Sequence, residues 1–245
     1  MRPAADGSAA HPVLREIESI GPWPFITRRT YLHPTGSTVV WQSRAHRKGL
    51  AADEDAARAA AIERVVRGLW MPRTLNWWIG TVFALGASLF LFGAVASLVP
   101  TLRAALAMDA ATIGAVYFAG SIPFTIAAYL QLFQAANARE FLSDAPARKR
   151  SLIGWRPRDI GWVSCALQFV GTLLFNVNTF DAMAPTVSAA HTNLVVWAPD
   201  AAGSVLFLVS GYLAYAETCH RHLAWRPRGL SWWVTAANLI GCIAF

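Results

Sequence analysis

Charge is what this sequence has least of. Only 14% of its 245 residues are Asp, Glu, Lys or Arg, against about 25% in a typical soluble domain. Cysteine is scarce as well: three in the chain, too few to build a disulfide scaffold. Lysine occurs twice against nineteen arginines, and with the abundant alanine this resembles codon bias from a GC-rich bacterial genome. The first 24 residues lack the apolar core of a secretory signal. What is not lacking is hydrophobicity, which at 55% excludes a disordered polymer. No Gly-rich phosphate loop, nucleophile elbow or paired-carboxylate set stands out, and the Gly-x-Ser patterns lie in apolar stretches. The sequence therefore points to no enzyme and to no cofactor.

The shortage of charge has a location. Residues 1–74 hold eleven Lys/Arg and seven Asp/Glu, whereas residues 75–245, more than twice as many, hold ten and seven. Twenty-nine uncharged residues separate Arg73 from Arg103, and another twenty-nine separate Asp109 from Arg139. Ile160–Phe180 is uncharged, Asp200 is the single charge between Asp181 and Glu217, and nothing after Arg228 is charged. A helix needs about 20 apolar residues to cross a hydrocarbon core of about 30 Å, so these runs predict transmembrane helices at 75–99, 111–134, 159–178, 194–216 and 230–245. The expected fold is an all-α membrane protein of five spans preceded by a small α+β cytoplasmic segment. The fifth run, Leu230–Phe245, has 16 residues, about 24 Å of helix.

Arginine and lysine placement sets the expected orientation. Eleven precede span 1, six lie between spans 2 and 3, three between spans 4 and 5, and only Arg103 falls on the other side. The positive-inside rule then assigns the N-terminus to the cytoplasm of a bacterial inner membrane, with loops 100–110 and 179–193 outside. The net charge of +7 marks topology and contact with anionic lipid on the cytoplasmic face, and no nucleic-acid partner is expected. A homo-oligomer is a further possible arrangement.

Three segments align without gaps: Trp70-Met-Pro72-Arg73-Thr-Leu75-Asn-Trp77, Trp155-Arg-Pro157-Arg158-Asp-Ile160-Gly-Trp162 and Trp225-Arg-Pro227-Arg228-Gly-Leu230-Ser-Trp232. Each is followed by Gly (Gly86, Gly171, Gly241) and Phe (Phe90, Phe175, Phe245) at matching positions, and Ala119-Gly120-Ser121…Phe124 parallels Ala202-Gly203-Ser204…Phe207. The unit is a two-span hairpin entered from one side each time, hence a parallel repeat. The divisions are a cytoplasmic segment at 1–69, a first repeat at 70–134, a second at 155–217 and the start of a third at 225–245, which a sixth span after Phe245 would complete. Pro suits a first helical turn, while Arg and Trp suit the headgroup layer. Trp70, Arg73, Trp77, Trp155, Arg158, Trp162, Trp225, Arg228 and Trp232 are therefore interfacial anchors. Small residues such as Gly80, Gly86, Gly93, Gly120 and Ser121 permit close helix approach, and the amides Gln168 and Asn238 sit at matching mid-span positions where packing glue outweighs a polar path.

The pattern Gly80, Phe83, Gly86, Leu89, Phe90 in the first span, with Phe118-Ala119-Gly120-Ser121-x-x-Phe124 in the second, resembles the YrhK-like two-span membrane domain. It also resembles uncharacterised bacterial integral membrane proteins that carry such hairpins in series. The second unit departs from the pattern, with Thr172 and Asn176 where the first has Ala87 and Leu91. The resemblance implies a fold and no activity.

In the N-terminal segment, Phe25–Tyr31 and Ser37–Trp41 flank His33-Pro34-Thr35-Gly36 and read as a hairpin over 25–41. A basic stretch Arg44–Lys48 follows, then an Ala-rich helix over 53–69 opened by Asp53-Glu54-Asp55. Asp200 has two readings. Either span 4 begins at Pro199 and the carboxyl lies in its first turn, or the span begins near Asn193 and the carboxyl lies about 9 Å inside, where an ionisable group is a functional hypothesis. Asn176, Asn178, Asp181 and His191 are its expected neighbours in an outer-face polar cluster. Cys219, His220 and His222 are metal-capable but lack a fourth ligand nearby, so no metal is expected. The function expected is a non-enzymatic multi-pass protein with a structural, regulatory or partner-binding role. The alternative is a small-solute or ion transporter using the cluster around Asp200.

Overall fold

The computed structural model describes residues 14–50, 70–138, 149–183 and 188–244. The expected helix at 53–69 lies outside them. Strands β1 (Arg15–Ile20), β2 (Arg28–Leu32) and β3 (Thr38–Gln42) form an antiparallel meander in the order β1-β2-β3. Between β2 and β3, Gly36 takes φ 87°, and its N–H donates to the His33 carbonyl at 2.9 Å, so the tight reversal falls on the residue without a Cβ. Register pairs Arg29 with Trp41, and the guanidinium lies 5.8 Å from the indole centroid. β1 adds a third strand that the sequence pattern did not suggest.

A five-residue helix, α1 (Ser43–Arg47), follows β3 directly. Then come α2 (Leu75–Leu98), a short α3 (Pro100–Ala105), α4 (Ala110–Ala136), α5 (Ile160–Asp181), α6 (Ala189–Thr192), α7 (Ala198–Cys219) and α8 (Leu230–Ala244). A π-turn over Asn193–Trp197 joins α6 to α7 without a break. Among the described residues, four segments are long and apolar enough to cross a membrane: α2, α4, α5 and Asn193–Cys219; α8 is apolar but has 15 residues. Helix starts have local causes. The Asp109 side chain accepts from the Thr112 N–H, and Asp159 accepts from those of Gly161 and Trp162, satisfying donors left open by the first turn. The π-turn has one too: Pro199 would drive its ring into the carbonyl of residue 195 in a regular helix, and the widened turn lies at that point.

Each of these apolar helices packs chiefly on its neighbours in chain order, α2 on α4, α4 on α5, α5 on α7 and α7 on α8. Glycine allows the close approach. A Cβ on Gly86 would stand 2.9 Å from the Gly120 carbonyl oxygen and collide with Phe124; a Cβ on Gly171 would stand 3.3 Å from that of Gly203 and 2.9 Å from Phe207. The same glycine–glycine–phenylalanine contact thus recurs at α2/α4 and α5/α7. Elsewhere the spans show large apolar side chains to their surroundings, among them Leu85, Leu91, Leu98, Val170, Leu173, Val177, Leu208, Ile240 and Ile243. Such a belt is what a lipid-facing surface requires and a water-facing one avoids. The buried clusters lie at one end: Leu132, Ala135, Ala136, Trp162 and Cys165 in one, Tyr215, Cys219, Trp232 and Ala236 in the other. The sheet docks on this same end.

Candidate functional site

The docking is built around a carboxylate. Glu217, two residues before the end of α7, is fully buried, and the Arg47 side chain is 6% exposed. Arg47 Nη1 donates to Oε1 at 2.7 Å and Nη2 to Oε2 at 2.9 Å, a bidentate fork. Ser43 Oγ donates to Oε1 at 2.8 Å. Ser43 and Arg47 share a face of α1 because they are four residues apart. On α5, a Cβ at Gly161 would overlap Arg47 Nη1, so this glycine leaves room for the guanidinium.

The same short helix is tied to the other spans. Asn76 of α2 donates through Nδ2 to the Lys48 carbonyl at 2.6 Å, and Gln134 of α4 donates through Nε2 to Asn76 Oδ1 at 2.9 Å. His220 follows α7 in the left-handed conformation, φ 55°, and its Nδ1 shares a hydrogen bond of 2.9 Å with Thr27 Oγ1, both groups buried. One turn of helix, the Lys48 that follows it and one loop residue therefore hold the sheet against α2, α5 and α7, with α4 joined through Asn76.

The electrostatics outside the spans follow from burial and from this one carboxylate. Burial opposes the charge on Arg47, but the field and hydrogen bonds of Glu217 outweigh it and hold the guanidinium above its ordinary value. Burial lowers Arg44, with Arg47 repelling it and Glu217 only partly compensating. Burial, then Arg44 and Arg47, pushes Lys48 down to about 7. Burial, then Arg226 and Arg28, lowers His220 to about 4. Three cations thus crowd one carboxylate. Nothing in this arrangement resembles a nucleophile–base pair; it is a clamp.

A second polar region lies toward the opposite end. Asn178 Nδ2 donates to Asp200 Oδ1 at 2.6 Å, joining α5 to α7. Asp200 stands seven residues after Asn193, where the apolar segment begins. Asn176 turns to the other side, donating to Thr125 Oγ1 of α4 at 2.9 Å, while its Oδ1 is buried without a partner. Thr179 donates to Ser121 Oγ at 3.3 Å nearby. Asp181 ends α5, and the His191 side chain lies outside what is described. Of the five residues expected to cluster, the structure brings Asn178 and Asp200 together and separates Asn176 from them.

The anchor residues show a recurring geometry. Trp70 packs on Trp77, Trp155 on Trp162 and Trp225 on Trp232, edge to face, with ring centroids 5.4, 5.3 and 4.9 Å apart. Each pair is spanned by the same turn bond, from the N–H of Thr74, Asp159 or Gly229 to the carbonyl of Met71, Arg156 or Arg226. Arg73, Arg158 and Arg228 stand at matching positions of these turns. Cys219, His220 and His222 go separate ways: to the Ala224 carbonyl, to Thr27 and to Tyr212. Among the described residues no three His, Cys, Asp or Glu side chains are grouped to hold a metal ion.

Sequence reasoning did not single out Glu217. Its signal was present: it is the one charge between Asp200 and Arg221, at the end of an apolar run and opposite in sign to the basic stretch Arg44–Lys48. Pairing it with Arg47 requires a contact between residues 170 apart in the chain. In comparison with known protein families, curated proteins and solved structures, the chain has no significant match.

Proposed function

We propose that the protein is a multi-pass component of the bacterial cytoplasmic membrane, with the sheet as a cytoplasmic cap clamped to the spans. Its role is structural, regulatory or partner-binding, without catalysis. The observation that carries this reading is the buried Arg47–Glu217 fork: a carboxylate at the end of a membrane helix is committed to holding a separate small unit in place. Among the described residues every Lys and Arg except Arg103 falls on the sheet side of the spans, which supports the inward orientation. The recurring tryptophan turns and glycine contacts support a tandem two-span repeat of the YrhK-like kind, with α8 opening a third unit.

Reporter fusions test the orientation. A periplasm-dependent phosphatase is expected to be active when inserted after Ala105 and inactive after Leu223, and the reverse pattern would sink the proposal. For the clamp, Glu217→Ala is expected to expose the sheet to protease in membrane vesicles while the spans stay inserted. Unchanged protection would remove the clamp from the reading.

The Asn178–Asp200 contact favours a second reading, a transporter or channel. Asp200 follows a π-turn, a feature frequent at functional sites, and lies within an apolar segment. Proteoliposomes carrying the wild-type chain and the Asp200→Ala and Asp200→Asn variants, assayed for ion flux and after a pH jump, decide it. Absence of flux in the wild type, or flux indifferent to both variants, removes this reading.

A further inference from the structure

The cap contains more positive charge than the clamp uses. Glu217 already accepts three hydrogen bonds, two from Arg47 and one from Ser43. Arg44 of α1 and Lys48, four residues on at the helix C-cap, stand within electrostatic reach of that carboxylate. Among the described residues neither forms an ion pair of its own; the acidic run Asp53–Asp55 lies outside those residues. Both side chains are partly withdrawn from water, yet each retains some exposure. Cations removed from water without a counter-charge are costly, and the remaining exposure leaves a route for an anion to reach them.

Their depth narrows the chemistry of that anion. Glu217 is two residues from the end of α7, Gly161 is the second residue of α5, and Trp162 and Trp232 lie at the same end. This is the interfacial layer, where arginine and tryptophan collect and lipid phosphates lie. We infer that Arg44 and Lys48 form a binding site for a phosphate group at the seam between cap and spans, supplied by an anionic lipid headgroup of the inner leaflet or by free phosphate. The lipid source rests on the inward orientation proposed above; the phosphate chemistry does not. Occupancy would neutralise the surplus charge and couple the grip of the cap to the anion content around it.

The full chain, delipidated in detergent, is titrated with phosphatidylglycerol, phosphatidylcholine and inorganic phosphate while melting is followed by tryptophan fluorescence. Phosphatidylglycerol is expected to raise the melting temperature saturably and phosphatidylcholine is not. The paired variant Arg44→Gln/Lys48→Gln is expected to weaken that response about thirtyfold, the product of two basic contacts of about five- to sixfold each. The control pair Arg15→Gln/Arg103→Gln, one on the exposed first strand and one in α3 at the opposite end of the spans, is expected to keep the wild-type midpoint, and Lys48→Arg to keep binding. With no anion added, the Arg44→Gln/Lys48→Gln chain is expected to melt no lower than wild type, because it loses two crowded like charges. Stabilisation by inorganic phosphate alone assigns the source to free phosphate, and stabilisation by phosphatidylglycerol alone assigns it to the headgroup; either upholds the site. Equal responses to both lipids with none to phosphate overturn it. Equal weakening by the control pair also overturns it. So does a paired variant that melts lower than wild type without anion, since the chain's own carboxylates would then already neutralise the two cations. Reporter fusions read orientation separately, so a failed orientation leaves the phosphate arm standing.

Discussion

Glu217 illustrates what a single buried carboxylate does at the end of a membrane helix. Removing it leaves Arg47 with Arg44 and Lys48 in a half-dry site, and an uncompensated buried charge costs about 3–5 kcal/mol. Glu217→Ala and Arg47→Ala are each expected to destabilise the docked cap by about that amount, with the double variant costing much less than the sum. Melting curves over the four-member cycle check this, and additive effects would mean that the fork contributes little. A pH dependence follows from the same cluster. Lys48 titrates near 7 when docked, against an ordinary value of 10.5, so the undocked chain binds more protons between these values and docking strengthens as pH rises through them. Below 7 the penalty is complete and constant. His220 adds a second loss between its ordinary 6.5 and its docked value of about 4. Proteolytic protection of residues 25–50 in vesicles is thus expected to increase from pH 7 to pH 9 and to fall below pH 6.5. Lys48→Met is expected to abolish the upper change and retain the lower one.

At the scale of elements, close helix contact depends on where a methyl group fits. Gly86 and Gly161 have no room for a Cβ, whereas Gly80 and Gly241 meet nothing within 4 Å. Gly161→Ala is expected to displace Arg47 and loosen the cap while leaving the spans inserted. Gly86→Ala is expected to part α2 from α4 at a cost of about 1–3 kcal/mol, typical of overpacking, and Gly80→Ala and Gly241→Ala to melt with the wild type. Thermal unfolding in detergent with protease mapping separates these outcomes; a Gly161→Ala chain with full cap protection would mean that Arg47 is not confined as described. The elements differ in how far they could be foreseen. Uncharged runs of more than 20 residues announce α2, α4 and α5, because no other structure satisfies so many backbone groups in an apolar setting. β1 reads Arg-Glu-Ile-Glu-Ser-Ile, and its two isoleucines, Ile17 and Ile20, are three apart and not on the period of two that marks a strand. The start of the fourth span was open between Asn193 and Pro199. The continuous helix through the π-turn begins the apolar segment at Asn193, since the widened turn accommodates a proline that would otherwise end it.

For the molecule as a whole, the spans form a succession of neighbours, and the cap draws their ends together at one face. Asn76, Gly161 and Glu217 come from three different spans and meet the same five-residue helix and the Lys48 that follows it, and Gln134 of a fourth span joins them through Asn76. Cutting the chain between cap and spans, with both parts co-expressed, is expected to leave them associated through pull-down, and Glu217→Ala in that split chain to release the cap. Release from the unsubstituted split chain would show that covalent tethering, and not the clamp, holds them.

Composition and the order of charges by themselves determined that long apolar helices alternate with short polar turns, and that tryptophan and arginine mark their ends. Those features depend on the free energy of single segments in water or lipid, which a run of twenty residues already contains. What the tertiary structure alone decided is which polar groups meet. Asn178 reaches Asp200 while Asn176 turns to Thr125, and Glu217 takes Arg47 from 170 residues away, while Arg44 and Lys48 form no ion pair among the described residues. Such pairings depend on helix rotation and on the space a glycine leaves, neither of which is written in any one segment of the chain.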